Sequence, residues 1–141
     1  MLDLYHEIFD KFQALNTRDE KINLLRKNAT IEFKDFLRGL FDPNIKFDVE
    51  IPEYRPAIEP AGLNYSSLHT EMNRVYLFAV GHPKTPAGVT PQKKMAILKN
   101  MLESVNKHEA ELLIGMLKKN LKIKSLTPKL VNEAFPDINV G

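Results

Sequence analysis

The amino-acid sequence predicts an all-α protein: a single-domain bundle of about seven helices with one long, extended, Pro-rich connection at about 45–65. Apolar residues recur three and four positions apart along most of the chain, which is the spacing of one helix face. Several of these segments follow a Ser, Thr or Asn, residue types that cap helix N-termini. Only residues 45–51 alternate apolar and polar side chains as a strand does, and a single strand cannot form a sheet.

Three helices are predicted before residue 45. The first spans about 2–14, the second begins at a capping box formed by Thr17 and Glu20, and Thr30 caps the third. The turn sequence at 42–44 ends the third helix. The expected buried faces are Leu4, Tyr5, Ile8, Phe9, Phe12 and Leu15 in the first helix, Ile22, Leu24 and Leu25 in the second, and Phe33, Phe36, Leu37 and Leu40 in the third.

The connection at about 45–65 is predicted to be extended and ordered. Pro52, Pro56 and Pro60 forbid a helix here, because proline lacks the backbone N–H and fixes the backbone angle. We expect the connection to lie over the helices. Its expected anchors are Tyr54, Ile58 and Leu63.

Four further helices are predicted after the connection. Ser66 or Ser67 caps the fourth, which runs to about residue 80, and a loop rich in glycine and proline follows at 81–88. A Thr-Pro pair at 90–91 opens the fifth helix with a cap and an N1 proline. Asn106 and Glu109 have capping-box spacing for the sixth, which extends to about residue 120. A second Thr-Pro pair, at 127–128, opens the seventh helix, and a proline at 136 ends it. The expected buried faces are Leu68, Met72, Val75, Tyr76 and Ala79 in the fourth helix and Met95, Leu98, Met101, Leu102 and Val105 in the fifth.

The composition is that of an ordinary intracellular domain. A chain of 141 residues is long enough for one core without disulfides or metals. It has no cysteine, which excludes disulfides, thiolate catalysis and cysteine-ligated zinc. The N-terminus lacks the basic start and apolar run of a signal peptide, and no apolar stretch approaches a membrane span. We therefore expect a cytoplasmic monomer without membrane contact.

The search for catalytic chemistry is negative. The four histidines have no metal-ligand spacing, and the zincin-like start at His108-Glu109 has Leu112 where the second ligand would stand. No phosphate-binding glycine loop and no nucleophile elbow is present. Lys46-Phe47-Asp48-Val49 approaches the nucleotidyl-lysine motif of DNA ligases but lacks its glycine. The sequence predicts a non-enzymatic protein with no catalytic residue, no metal ligand and no cofactor.

Charge is distributed unevenly along the chain. Residues 1–81 contain 10 Lys or Arg and 13 Asp or Glu, a net charge of −3, whereas residues 82–141 contain 10 Lys and 5 Asp or Glu, a net charge of +5. Within 118–129, all five charged residues are lysines. Such a local basic surface is typical of a site for phosphate groups. It is equally typical of a solvated helix C-terminus, where cations are stabilised by the helix dipole.

Three segments together resemble a known family. Residues 21–28 read Lys-Ile-Asn-Leu-Leu-Arg-Lys-Asn, a turn reads Leu121-Lys122-Ile123-Lys124, and the last helix closes as Asn-Glu-Ala-Phe-Pro at 132–136. They resemble the helical N-terminal DNA-binding domain of phage-type ATP-dependent DNA ligases. The chain ends about where the family's adenylation domain would begin, so the resemblance implies that domain alone over residues 1–141. The sequence also resembles small tailed-phage proteins of unassigned function.

The resemblance implies binding to the backbone of duplex DNA through the turn before the last helix. The DNA-binding residues that it implies are Lys122, Lys124, Ser125, Thr127 and Lys129 at the phosphates, with Lys118 and Lys119 nearby. Lys124 departs from the family, which has glycine there for close backbone approach. Ser125 and Thr127 are also explained as helix caps.

An alternative is a protein-interaction module that docks on a replication, repair or host defence factor. Its surface would be the acidic N-terminal half and the connection from Tyr54 to Tyr65.

Overall fold

The fold is all-α, as predicted. The computed structural model describes residues 3–86, 88–138 and 140, and in them it places seven α-helices and one 3₁₀-helix. Residue 2, where the first helix is predicted to begin, lies outside the described residues. The elements are α1 (Tyr5–Ala14), α2 (Arg18–Lys27), α3 (Ile31–Phe41), α4 (Leu68–Glu71), the 3₁₀-helix (Met72–Phe78), α5 (Pro91–Ser104), α6 (Lys107–Lys118) and α7 (Pro128–Ala134).

Helix α6 lies at the centre of the bundle. It packs against α1, α3, α4 and α5, while α7 packs against α2. The predicted faces of α1 and α3 are confirmed, except that Leu4 and Leu15 are only half-buried. In α2, Ile22 and Leu25 are buried and Leu24 is half-buried. Burying these apolar surfaces is the main source of stability for the bundle.

Most predicted helix caps are present. The hydroxyls of Thr17, Thr30, Thr90 and Thr127 each accept a hydrogen bond from the backbone N–H three residues later, at 3.1–3.2 Å. Ser67, rather than Ser66, caps α4 in the same way. These bonds satisfy N–H groups that have no partner within the helix.

The fourth helix differs from its prediction. Only four residues are α-helical, and the chain continues as a 3₁₀-helix with three residues per turn. Met72, Val75 and Phe78, which are three residues apart, are therefore buried on one side. Tyr76 and Ala79, which were expected inside from α-helical spacing, are half-buried.

The first part of the connection at 45–65 is extended and anchored, whereas the later part turns at 60–63. Phe47 forms an isolated antiparallel bridge with Ala79, and Tyr54 packs against the core. The predicted anchors Ile58 and Leu63 are wrong: their side chains are 94% and 72% exposed.

Ile58 and Leu63 are exposed because the residues on either side of this part of the connection are both hydrogen-bonded to the C-terminal end of α5. Arg55 N–H donates to Glu103 Oε2 at 2.9 Å, and Ser66 N–H donates to the Ser104 carbonyl at 2.7 Å. Since Glu103 and Ser104 are neighbours, the ten residues at 56–65 form an arch between two adjacent points. Its apolar side chains consequently lie in solvent.

The capping box predicted for α6 does not form, because Asn106 and Glu109 have other hydrogen-bond partners. Asn106 Oδ1 accepts from the N–H of His108, at 2.9 Å, rather than from that of Glu109. The Glu109 carboxylate does not return to Asn106. Its two oxygens accept from Tyr5 N–H at 3.1 Å and from Leu68 N–H at 3.2 Å, the first residues of α1 and α4. Glu109 is 1% exposed, so one buried carboxylate caps two helices other than its own.

Removing this double cap should destabilise the bundle. Glu109→Ala leaves two buried N–H groups unpaired and is expected to lower the free energy of unfolding by about 2–4 kcal/mol. Glu109→Gln keeps one acceptor oxygen and should cost less, about 1–2 kcal/mol. Urea denaturation measures both changes. An alanine variant as stable as the wild type would contradict the double cap.

The stability difference between wild type and Glu109→Gln should also depend on pH. Burial raises the pKa of Glu109, although the two backbone N–H donors act in the opposite direction. The folded protein therefore binds a proton at a pH where the unfolded chain does not, so stability rises as pH falls through the raised pKa. Glutamine lacks this proton. The advantage of wild type over Glu109→Gln should be larger at about pH 5 than at about pH 7 in the same urea titrations.

Candidate nucleic-acid interface

The lysine-rich segment begins at a defined helix end. Lys119 has a left-handed backbone, with φ +52°, and its N–H donates to the Met116 carbonyl at 3.0 Å. Asn120 N–H donates to the Gly115 carbonyl at 2.9 Å, which completes a Schellman motif. A Cβ at Gly115 would lie 2.9 Å from Leu121 Cδ1. Glycine at this position therefore lets Leu121 pack closely on α6, and a larger residue would displace the Leu121 side chain.

Lys119 does not lie with the other lysines of the segment. Its ammonium donates to the carbonyls of Gly39 at 2.5 Å and Asp42 at 2.8 Å, and it lies 5.5 Å from the centre of the Phe47 ring. Desolvation lowers its pKa. The side chain closes the C-terminus of α3, where carbonyl groups lack helical partners. The prediction that Lys119 faces a ligand finds no support in this position.

Residues 123–126 form a tight turn. Leu126 N–H donates to the Ile123 carbonyl at 3.0 Å, and both of these side chains are buried. Ser125, the third residue, has φ +69°, the feature of a type II turn. Lys124 N–H donates to Gln13 Oε1 at 3.2 Å, which ties the turn to α1.

The turn shows which of its two hydroxyl residues caps a helix. Thr127 is a cap, because it accepts from Leu130 N–H at 3.2 Å. Ser125 caps nothing: among the described residues, no partner for its hydroxyl is found, and the residue is exposed. The positive backbone angle lies at Ser125, one residue after the position at which the resembling family has glycine.

Four lysines surround this turn with their side chains in solvent: Lys118, Lys122, Lys124 and Lys129. The groove beside the turn is lined by residues none of which is acidic: Gln13, Leu121, Lys122, Ile123, Lys124, Ser125, Leu126 and Thr127. Exposed lysines beside a groove without acidic lining residues create a positive potential that attracts phosphate groups.

The acidic residues that follow the turn are already engaged by cations. Glu133 forms an ion pair with Arg18, and Asp137 pairs with Lys34 at 3.1 Å. The hydrogen bond from Lys34 lowers the pKa of Asp137. Arg26 donates to the carbonyls of Glu133 and Ala134, both at 3.1 Å, and so holds the end of α7 on α2. These two carboxylates are therefore neutralised by other cations, and the lysines give the turn surface its positive charge.

A pair of histidines that sequence analysis missed lies along the same side of α1. The rings of His6 and His108 are 5.3 Å apart between centroids. They are 102 positions apart in the chain, so no local spacing signals the pair.

Across residues 3–86, 88–138 and 140, no cluster of three or more His, Asp or Glu side chains is placed to hold a metal ion. In the same residues, no helix is long and apolar enough to cross a membrane.

Comparison with known proteins places the chain in a family. A family model for DUF6433, described as a family of unknown function, matches residues 8–123, so the chain belongs to this family. The matched range includes α1 to α6 in large part and ends inside the lysine-rich segment, at Ile123. A search of curated proteins gave no match.

The backbone at the turn predicts opposite effects for two neighbouring glycine substitutions. Ser125→Gly removes the strain of a left-handed conformation and should stabilise the protein by about 0.5–1 kcal/mol. Lys124→Gly should instead destabilise it by about 0.5–1 kcal/mol. The φ of Lys124 is not positive, so glycine relieves no strain there and only increases the conformational entropy of the unfolded chain. Thermal unfolding of both variants checks this. The reverse order would show that the positive angle lies at Lys124.

Alanine substitutions of two adjacent lysines should likewise differ in their effect on the stability of the protein. Lys119→Ala removes two charge-assisted hydrogen bonds to the end of α3 and should cost about 1–3 kcal/mol. Lys118→Ala, at an exposed position, should change stability by less than about 0.5 kcal/mol. Chemical denaturation of the pair measures the difference. Equal effects would contradict a structural role for Lys119.

Proposed function

We propose that this DUF6433 protein binds the backbone of duplex DNA, without sequence preference, as a non-enzymatic accessory protein of phage DNA metabolism. The observation that carries the proposal is a set of four exposed lysines, 118, 122, 124 and 129, in and on either side of a turn whose groove has no acidic lining residue. The resemblance of this segment to the DNA-binding domain of phage-type DNA ligases supports the same conclusion.

The geometry of the turn favours phosphates over other acidic groups. The turn is fixed at both ends, by the Schellman motif at Lys119 and by the Thr127 cap. It is fixed in the middle by the bond from Lys124 N–H to Gln13. Its lysines therefore project from a rigid base and need little ordering when a repeated anion binds. Duplex DNA presents one negative charge for about every 1.7 Å of helix axis, so several lysines are neutralised together.

The chemistry of the side chains supports binding without sequence readout. Lysine ammonium groups and the Ser125 hydroxyl donate to phosphate oxygens, and such contacts position a protein without specifying bases. The groove beside the turn contains no arginine, the commonest reader of guanine in the major groove. The proposal includes no chemical step, so we expect neither covalent labelling by ATP nor sealing of nicks.

Affinity for duplex DNA should fall steeply with salt. Three to five phosphate contacts would give a slope of log affinity against log salt of roughly −3 to −4.5, since each contact contributes about −0.9. Lys122→Ala and Lys124→Ala should each make the slope less negative by about one. Fluorescence anisotropy with a labelled duplex at several salt concentrations measures the slope.

Two variants sharpen this experiment. Lys11→Ala is the matched control, because the Lys11 ammonium is already paired with Asp3 at 2.7 Å, and it should leave the slope unchanged. Ser125→Gly removes the hydroxyl while keeping the fold, so weaker binding by this variant would identify a hydroxyl contact. Absence of duplex binding at low salt, or equal slopes for Lys11→Ala and Lys122→Ala, would contradict the proposal.

A second candidate function is a protein-interaction module, and the arch at 56–65 favours it. Ile58, Leu63 and Tyr65 are 94%, 72% and 95% exposed, and large apolar side chains in such a cluster are typical of contact surfaces. The partner would be a replication, repair or host defence protein.

The test of this candidate uses a photo-crosslinker placed at residue 58, followed by a titration of the purified partner. A triple change of Ile58, Leu63 and Tyr65 to serine should abolish binding and leave the free energy of unfolding within about 0.5 kcal/mol of wild type, because these side chains are exposed. Unchanged affinity for the partner would rule this surface out.

A further inference from the structure

Two histidines meet at the junction of two open cavities. His6 lies on α1, and His108 lies in the first turn of α6; the ring planes are tilted by 40° at a centroid distance of 5.3 Å. The first cavity lies between this pair and the arch, and Lys107 also lines it. The second cavity runs from the same pair towards the turn, and it is lined by both histidines and by Gln13 and Lys122.

The second cavity connects the histidines to the lysine turn. The groove beside the turn shares Gln13, Lys122 and two apolar neighbours, Leu121 and Ile123, with the cavity that the histidines line. A linear polyanion that binds at Lys122 therefore has a continuous path to the histidine pair.

The His6 side chain is only partly buried and lines both cavities, so an anion at the end of this path meets its exposed part. Its Nδ1 atom is buried and, within the described part of the chain, has no hydrogen-bond partner. Burial is the largest influence on the pKa of His6 and lowers it, and the neighbouring His108 acts in the same direction. An anion beside the pair would reverse this, because it stabilises the protonated ring and accepts its N–H.

Charges of both signs face the pair. The charged residues on the elements around it are Glu7 and Asp10 on α1, Lys107 and Glu111 on α6, Glu59 in the arch and Lys122 before the turn. Glu7 and Asp10 raise the pKa of His6, but less than burial and His108 lower it. Asp10, Glu59 and Glu111 are exposed, so water and salt weaken their repulsion of an approaching phosphate.

We propose that His6 and His108, together with Lys107, form a second phosphate-binding position on the DNA-binding face, and that this position takes up a proton when a DNA phosphate binds. The inference rests on the proposed function, since the turn supplies the first position. A neutral imidazole has one N–H, whereas the protonated ring has two. Proton uptake therefore adds a charged N–H donor for a phosphate oxygen. The proton comes from solvent, and the new N–H is the one bond that forms.

Proton uptake makes binding depend on pH. If the phosphate raises the pKa of one histidine by about one unit, affinity for duplex DNA should be up to roughly tenfold higher at about pH 6 than at about pH 8, at equal ionic strength. The histidine variants show whether this change arises at the pair.

The experiment measures anisotropy with a labelled duplex at both pH values for the wild type, His6→Gln, His108→Gln and the double variant. His82→Gln is the matched control, since His82 lines a separate cavity near Tyr76. Circular dichroism establishes that each variant is folded. The pair variants should lose the pH dependence of duplex affinity, whereas His82→Gln should keep it as wild type does.

A second measurement needs no substitution. The ring resonances of His6 are followed by NMR through a pH titration with no anion, with inorganic phosphate and with a short duplex. A duplex that raises the apparent pKa of His6 more than inorganic phosphate does would support a DNA phosphate position. An equal or larger effect of inorganic phosphate, or no effect of either, would overturn it.

The two proposals fail in different ways. Salt-dependent duplex binding with the same pH dependence in wild type and in the pair variants overturns the histidine position alone. Absence of duplex binding at either pH overturns the proposed function, and the histidine position with it.

Discussion

Glu109 is the constraint on which the arrangement of helices depends. Its carboxylate is buried at the N-terminal end of the central helix and accepts the first N–H of α1 and of α4. A buried ionisable group is costly unless its oxygens are paired, and here each oxygen is paired with a helix N-terminus whose dipole favours negative charge. Three helices are thereby held at one point, and the relative placement of α1 and α6 follows from it.

That placement determines the candidate interface at the opposite end of α6. The Schellman motif turns the chain at Lys119, whose side chain closes α3, and Gln13 of α1 binds the next turn at Lys124. Because α1 is fixed against α6 at its start by Glu109, its end is in position to hold the lysine turn. The same pairing of α1 with α6 brings His6 to His108. The proposed DNA-binding face is thus a consequence of how one helix pair is held.

Local features of the fold could be predicted from the sequence, because they depend on neighbouring residues. The threonine caps at 17, 30, 90 and 127 and the apolar faces of α1 and α3 are of this kind. Features set by distant partners could not be predicted. The acceptor role of Glu109 was foreseen, but its donors are 104 and 41 positions away. Lys119 looks like one more surface lysine until α3 is placed beside it. In the candidate interface, the positive φ of Ser125 could not be predicted because no glycine marks the position. The exposed lysines could be predicted, because they form a run without acidic residues.

The central claim, that the lysine turn is the surface that binds duplex DNA, is tested most directly by mapping amide signals. Two-dimensional NMR spectra of isotope-labelled protein are recorded as a short duplex is added at low salt. We expect the largest chemical-shift changes at residues 118–129, with smaller changes around His6 and His108. Changes confined to the arch at 56–65, or no changes at all, would contradict it.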